Sequence, residues 1–288
     1  MEKMKLFQLT FLTALAPIFW GTTYIVTTEF LPPDRPLTAA VIRVLPAGII
    51  LLLYSMQMPA AKEIGRLVLL AFLNIGCFQS MLFASAYLLP GGIAAVAGSL
   101  QPLIIVLIMR IADRRRQNLT TLVFIVASIA GMCLMLVRKD AQLSVKGLAA
   151  AFTGAFVMAL GTYLTSRWKF SLNKQAFAGW QLFLGGLMIL PLVFIYEAEP
   201  LHLVMRNYFG YAYLALFGTL LAYYLWFQGV VELPAVAVSV LGLLSPVTAV
   251  AVGWIFIGQG LNLLQTIGFI TVMVSVAVVQ WSVNKRRN

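Results

Sequence analysis

Apolar residues in this chain run in long unbroken stretches, broken by short polar segments. Ten windows are long enough to cross roughly 30 Å of hydrocarbon as a helix, a length that needs about 18 residues or more. They are 6–28, 37–56, 67–89, 91–109, 119–137, 147–166, 177–196, 208–231, 235–257 and 263–282. Alternation with period two over about ten residues, the pattern of a membrane β-barrel, is absent. The pattern therefore predicts an all-α polytopic membrane protein of ten transmembrane helices.

The windows fall five and five about the middle of the chain. Residues 89–102, LPGGIAAVAGSLQP, are echoed by residues 233–246, LPAVAVSVLGLLSP, with six identical positions. These are Leu89/Leu233, Pro90/Pro234, Val96/Val240, Gly98/Gly242, Leu100/Leu244 and Pro102/Pro246, each pair 144 residues apart in a chain of 288. An odd number of spans per copy makes the second copy enter the bilayer from the opposite side. The expected domains are a first five-helix repeat, 1–144, and an inverted second one, 145–288. Inverted repeats are the recurrent construction of secondary transporters. Within the repeat, Pro90 and Pro234 fit helix starts, where a missing N–H costs nothing. Pro102 and Pro246 fall inside spans four and nine. An interior proline bends a helix and frees the carbonyl four residues earlier, here that of Gly98 and Gly242. A freed carbonyl in a membrane needs a partner or a water-filled cavity, so these four residues are candidates for a helix break or gate. Close helix packing through small residues is the competing explanation.

Composition agrees, with 61% hydrophobic and 10% charged residues and a mean hydropathy of +0.95. The net charge of +11 does not point to nucleic acid, because the positions of the charges follow topology. With a cytoplasmic N-terminus, fourteen Lys and Arg fall in inside segments and five outside (Arg35, Arg138, Lys139, Lys146, Arg206). This is the positive-inside bias and puts both termini in the cytoplasm of an inner-membrane protein. The run Asp113-Arg114-Arg115-Arg116 then serves as a topology signal beside anionic lipid. The first window is too long for a signal-peptide core and lacks a small-x-small cleavage site. Cys77 and Cys133 both lie in apolar windows, so neither a disulfide nor a metal site is expected. No cofactor is expected either. The expected partners are a small-molecule substrate and the lipid bilayer.

Several stretches resemble the drug/metabolite transporter superfamily and, within it, the EamA family of ten-span exporters. They are Ala16-Pro17-Ile18-Phe19-Trp20-Gly21-Thr22-Thr23-Tyr24, Arg43 with Pro46-Ala47-Gly48, Gln101-Pro102-Leu103, Ser245-Pro246-Val247 and Gln265-x-x-Gly268. Gly21-Thr22-Thr23-Tyr24, Leu89-Pro90-Gly91-Gly92 and Gln101-Pro102-Leu103 look like the PecM-type branch of metabolite exporters. The resemblance implies export of small metabolites, amino acids or related compounds. Where the family usually places a Glu after the fourth and ninth spans, this chain has Asp113 amid arginines in the first half and Gly258-Gln259-Gly260 in the second.

Polar and aromatic residues inside spans mark candidate substrate contacts, because an unsatisfied polar group in hydrocarbon costs several kcal/mol. Trp20 and Tyr24, four apart, share a face of the first helix. Asn74, Gln79, Gln101, Tyr163, Trp180, Gln181 and Tyr223 could offer hydrogen bonds, as could serve helix-to-helix contacts instead. Thr22, Thr23, Thr27 and Thr28 can bond back to their own helix and are set aside. Arg43 is the one charge within a window. It either snorkels to the outer interface or holds a substrate carboxylate with its planar fork. All nine acidic residues fall in termini, loops or span ends, which favours facilitated diffusion or exchange over proton antiport. The only histidine, His202, lies in a loop, and no cluster of nucleophiles, bases or metal ligands supports an enzyme. A small-lipid translocator or a non-transporting membrane scaffold remains the alternative.

Overall fold

The computed structural model describes residues 2–89, 98–114, 116–136, 144–199, 202–257 and 262–285. Helices account for every regular element among them: α1 (Glu2–Phe30), α2 (Pro36–Ser55), α3 (Ala61–Ala71), α4 (Phe78–Leu88), α5 (Gln101–Ala112), α6 (Leu119–Leu136), α7 (Val145–Arg167), α8 (Lys174–Tyr196), α9 (Met205–Ala215), α10 (Ala222–Glu232), α11 (Ala235–Leu241), α12 (Leu244–Ile257) and α13 (Leu263–Lys285). A π-helical turn, Phe72–Cys77, joins α3 to α4, and another, Leu216–Leu221, joins α9 to α10. Among the described residues eight helices are long and apolar enough to cross a membrane, and Gln101–Ala112 and Leu119–Met135 are shorter apolar helices. The protein is an all-helical, multi-pass membrane protein.

The 144-residue spacing seen in the motif extends to the helix boundaries. The segment α3, π turn and α4 has limits that, displaced by 144 residues, coincide with those of α9, π turn and α10. Leu119 and Leu263, which begin α6 and α13, keep the same spacing. The most extensive helix contacts are α2 with α8 and α6 with α13. Glycines permit both. At Gly48 an added Cβ would stand 2.5 Å from the backbone nitrogen of Phe183, and at Gly268 it would stand 2.5 Å from the carbonyl oxygen of Gly131. Such close backbone approach is the usual packing device where lipid supplies no hydrophobic drive.

Polar ties group the connections into two ends. At one end Glu197 takes hydrogen bonds from the backbone of Leu37 and Thr38 at the start of α2, and Asn207 donates to the Phe30 carbonyl. At the other end Glu63 accepts from Ser171, Asn173 N–H donates to Gln57, and Arg167 pairs with Asp113. Glu63 and Asn207, again 144 apart, each tie the first turns of their helix to the opposite half, Glu63 to the loop residue Ser171 and Asn207 to Phe30 at the end of α1.

The prolines act differently from the sequence expectation. Pro102 lies in the first turn of α5, after a turn at Ser99 and Leu100. Pro246 is the third residue of α12, after a turn at Gly242 and Leu243. The carbonyl of Gly242 is not left free, because it accepts Ser245 N–H at 3.1 Å. The chain stops one helix and starts another, and each proline sits where its missing N–H is harmless. Pro90, Gly91, Gly92 and Gln259 lie outside the described residues.

Candidate functional site

The two π turns put hydrogen-bonding groups at membrane depth. A π turn shifts one carbonyl out of the regular i to i+4 ladder, and such turns recur at functional sites. In the second turn the Gly218 carbonyl accepts from Trp20 Nε1 at 3.0 Å and from Arg43 Nη2 at 2.9 Å. Arg43 Nε also donates to Thr219 Oγ1 at 3.0 Å. Arg43 is 2% exposed, so it does not snorkel to the interface. It is held sideways, against the unwound segment of a neighbouring helix.

Beside this clamp lies a cavity of about 580 Å³, within the usual range for small-molecule sites. It is lined chiefly by apolar side chains and reaches Leu31, Pro32 and Pro33 in the connection between α1 and α2. Of the residues singled out from sequence, Trp20, Arg43, Gln79, Gln101, Tyr223, Gly98, Gly242 and Pro246 border it. Trp20 packs its ring 5.1 Å from Tyr223 and 5.0 Å from Trp226. Gln79 Nε2 donates to the Tyr223 hydroxyl at 2.5 Å. The side chain of Tyr24 lies outside the described residues.

Other candidates turn elsewhere. Asn74 Nδ2 donates to Gln181 Oε1 at 2.7 Å and to Thr165 Oγ1 at 3.2 Å, a buried tie between the first π turn, α7 and α8. Tyr163 donates to Asp113 at 2.8 Å at the end of the bundle. Trp180 Nε1 donates to the Gln57 carbonyl at 2.9 Å, an interfacial contact. Pro102 is buried but does not border the cavity. These residues hold helices or loops together away from the cavity, although Asn74 Oδ1 and Gln181 Nε2 are themselves buried without a hydrogen-bond partner in the protein.

Sequence reasoning passed over part of the wall. Thr23 and Thr27 border the cavity, and their hydroxyl oxygens are buried without a hydrogen-bond partner in the protein. Gln79 Oε1 and Trp226 Nε1 share that condition. A buried polar atom without a partner costs about 1–3 kcal/mol, so four such atoms around one cavity mark a place built to receive hydrogen bonds. Trp226 was discoverable, since it lies three residues after Tyr223 and so on the same helical face. Thr23 was discounted for a bond back to its own helix, which Thr22 makes to Phe19 O at 2.8 Å and Thr23 does not.

Comparison with known proteins agrees with this architecture. The sequence profile of the EamA-like transporter family matches residues 9–137 and again residues 145–281. Protein PecM of Dickeya dadantii (strain 3937) is 43% identical over 267 residues, covering 92% of this chain and 90% of that protein. The uncharacterized inner membrane transporter YicL of Salmonella typhimurium (strain LT2) is 24% identical over 95% of this chain and 94% of its own. A solved crystal structure with 16% identity superposes with a TM-score of 0.81, covering 98% of this chain and 99% of that one, and shows the same fold. With both halves matched and a relative this similar over nearly its full length, the chain belongs to the EamA-like transporter family.

Proposed function

We propose that this protein exports small metabolites, amino acids or related compounds, across the inner membrane by alternating access between two inverted halves, residues 1–144 and 145–288. The observation that carries the reading is the cavity among the apolar helices, at whose wall Gln79 and Tyr223, positions 144 residues apart, form a hydrogen bond. Two copies related by an axis through such a contact can exchange conformations and so expose one site to either side. The separate matches of the family profile to each half, and the coincident boundaries around the two π turns, support the repeat. Trp20, Arg43, Gln79, Gln101 and Tyr223 are the proposed substrate contacts, and the helix interruptions at Gly98 to Pro102 and Gly242 to Pro246 the proposed moving parts.

The charge bias supports cytoplasmic termini. In a background with Cys77 and Cys133 replaced by alanine, single cysteines at Arg116 and Lys174 are expected to resist an impermeant reagent in intact cells, while one at Glu199 labels. Labelling at Arg116 would reverse the orientation. Energy coupling follows from the wall of the cavity, which among the described residues contains no Asp, Glu, Lys or His. A proton-coupled carrier needs an ionisable group in its pathway, so the reading favours facilitated diffusion or exchange. Reconstituted vesicles decide between this and lipid translocation. Protein-dependent counterflow of an amino acid or small organic acid, without scrambling of a fluorescent lipid, is expected; scrambling without solute flux would replace the exporter by a lipid translocator.

A further inference from the structure

The cavity reaches the surface at one end of the bundle and, among the described residues, stops short of the other. Pro33, which is exposed, borders it at the end that Glu197 ties. In the opposite direction its described wall takes in α1 only from Trp20 onward, α7 only as far as Met158, and of α5 just the first residue, Gln101. From there α5 runs on to the end that holds Asp113, packed against α7 with Ile105 fully buried. The two ends of α5 are held differently. Its start is an interruption, with a turn at Ser99 and Leu100 and then Pro102, which withholds a backbone N–H. Such a junction has fewer bonds to resist bending than a continuous helix, and hinges are built from a few residues of this kind. The far end is pinned. Asp113, the residue after α5, accepts from the Tyr163 hydroxyl at 2.8 Å and pairs with Arg167, both on α7. The Asp113 side chain is 5% exposed, so its carboxylate depends on these partners to replace lost hydration.

The other half has no equivalent. Displaced by 144 residues, Asp113 falls on Ile257, Tyr163 on Phe19 and Arg167 on Thr23. Were the halves to exchange conformations, α12 would take the attitude of α5, and these positions would offer three side chains that cannot form an ion pair. We propose that Asp113, Tyr163 and Arg167 form a latch that holds α5 across the Asp113 end of the cavity, and that the missing counterpart biases the resting protein toward the state open at the Glu197 end. The proposal rests on the reading of two inverted halves given above. Release of the latch lets α5 swing about Ser99 and Leu100 and uncovers the cavity floor toward the Asp113 end. The three are positioning residues, since none of them borders the cavity.

The test needs no cargo. In the full chain with Cys77 and Cys133 replaced by alanine, Ser239→Cys puts one thiol at the cavity wall, at a position 1% exposed. Separate proteins with a single cysteine at Lys174 or at Glu199 mark the Asp113 side and the Glu197 side of the membrane. An impermeant methanethiosulfonate is applied to inside-out and to right-side-out vesicles. With the latch intact, the thiol at residue 239 is expected to label at least about tenfold faster from the Glu199 side than from the Lys174 side. Adding Asp113→Asn or Arg167→Gln should lower that ratio by about tenfold, and Tyr163→Phe by about threefold, because each removes a bond made in one of two states. Asp113→Glu keeps the carboxylate and should stay within about threefold of the parent. Total labelling in detergent is expected to be the same in all, which a merely damaged fold would not give. A parent that labels no faster from the Glu199 side, or a ratio that neither Asp113→Asn nor Arg167→Gln moves, would overturn the latch and leave the transport reading standing. A thiol that labels in detergent but from neither side of the membrane in any variant would count against both. Should Asp113→Asn fail to fold, Arg167→Gln, at a side chain 47% exposed, decides alone.

Discussion

Gln79 and Tyr223, 144 residues apart in sequence, meet in a 2.5 Å hydrogen bond at the wall of the cavity. Residues that occupy the same place in two halves can touch only near an axis that relates those halves, so this bond ties the proposed repeats together at their centre. Both side chains are 1% exposed. Tyr223→Phe removes the acceptor and leaves an amide N–H buried without a partner, at an expected cost of about 1–3 kcal/mol. Gln79→Leu costs a similar amount, but the double variant should lose less than the sum, because neighbours in one hydrogen bond couple by about 0.5–3 kcal/mol. Thermal or denaturant melting of the four proteins in detergent measures this coupling, and simple additivity would mean that the bond contributes nothing.

Gly48 makes the α2 to α8 contact possible. An added Cβ would lie 2.5 Å from Phe183 N and 2.9 Å from its Cα, backbone atoms that cannot swing aside. Gly48→Ala is expected to destabilise by about 1–3 kcal/mol through overpacking. Gly65, also in a helix, has nothing within 4 Å of the same added atom. Gly65→Ala should therefore be neutral or stabilising, by up to about 1 kcal/mol, from lost unfolded-state freedom. Melting temperatures that fall equally for both would show that helix approach at Gly48 does not limit stability.

Glu197 closes the start of α2. Its carboxylate accepts from Leu37 N at 2.7 Å, Thr38 N at 2.8 Å and Thr38 Oγ1 at 2.6 Å, satisfying backbone donors that a helix start leaves open. The negative charge also suits the helix N-terminus. Glu197→Ala is expected to cost about 2 kcal/mol, and Glu197→Gln less, because the amide oxygen can keep one of the three bonds. Increased hydrogen exchange should be confined to Leu37, Thr38 and the turn that follows. Unchanged exchange there would assign the stabilisation elsewhere.

The bilayer made the helices legible. Each apolar window contains or borders a helix of the structure, because a span must be apolar over a fixed length wherever it faces. The 144-residue spacing was visible for the same reason that it matters structurally, since helix starts and interruptions need Pro and Gly at fixed places. Side-chain direction was not legible. Asn74 and Gln79 are five residues apart in one span, yet Asn74 bonds Gln181 behind the cavity and Gln79 borders it. Residues five apart on a helix already point in different directions, Asn74 itself lies in the π turn Phe72–Cys77 that alters the local ladder, and no residue in FLNIGC announces that turn. Tyr163 and Trp180 read as mid-span residues from hydropathy, but groups at the polar ends of the bundle take their hydrogen bonds. Arg43 stood out as the lone charge, while its partner, a backbone carbonyl at Gly218, has no side chain to advertise it.

Gly98 separates obstruction of the cavity from damage to the fold. It borders the cavity, and a Cβ added there meets nothing within 4 Å, so open space lies beside it. Gly242, its counterpart 144 residues on, is tighter, with the Ser239 carbonyl 3.1 Å from the added atom. A benzyl group at residue 98 would project into open volume without pressing on backbone. Gly98→Ala is accordingly expected to leave both melting and flux near wild type. Gly98→Phe should keep the melting transition within about 1 kcal/mol of wild type, as substitutions that create no buried clash do, while solute flux in vesicles falls at least tenfold. Flux retained by a folded Gly98→Phe protein would mean that cargo does not pass through this cavity, and a collapsed melting transition would mean that the space beside Gly98 closes in the working protein.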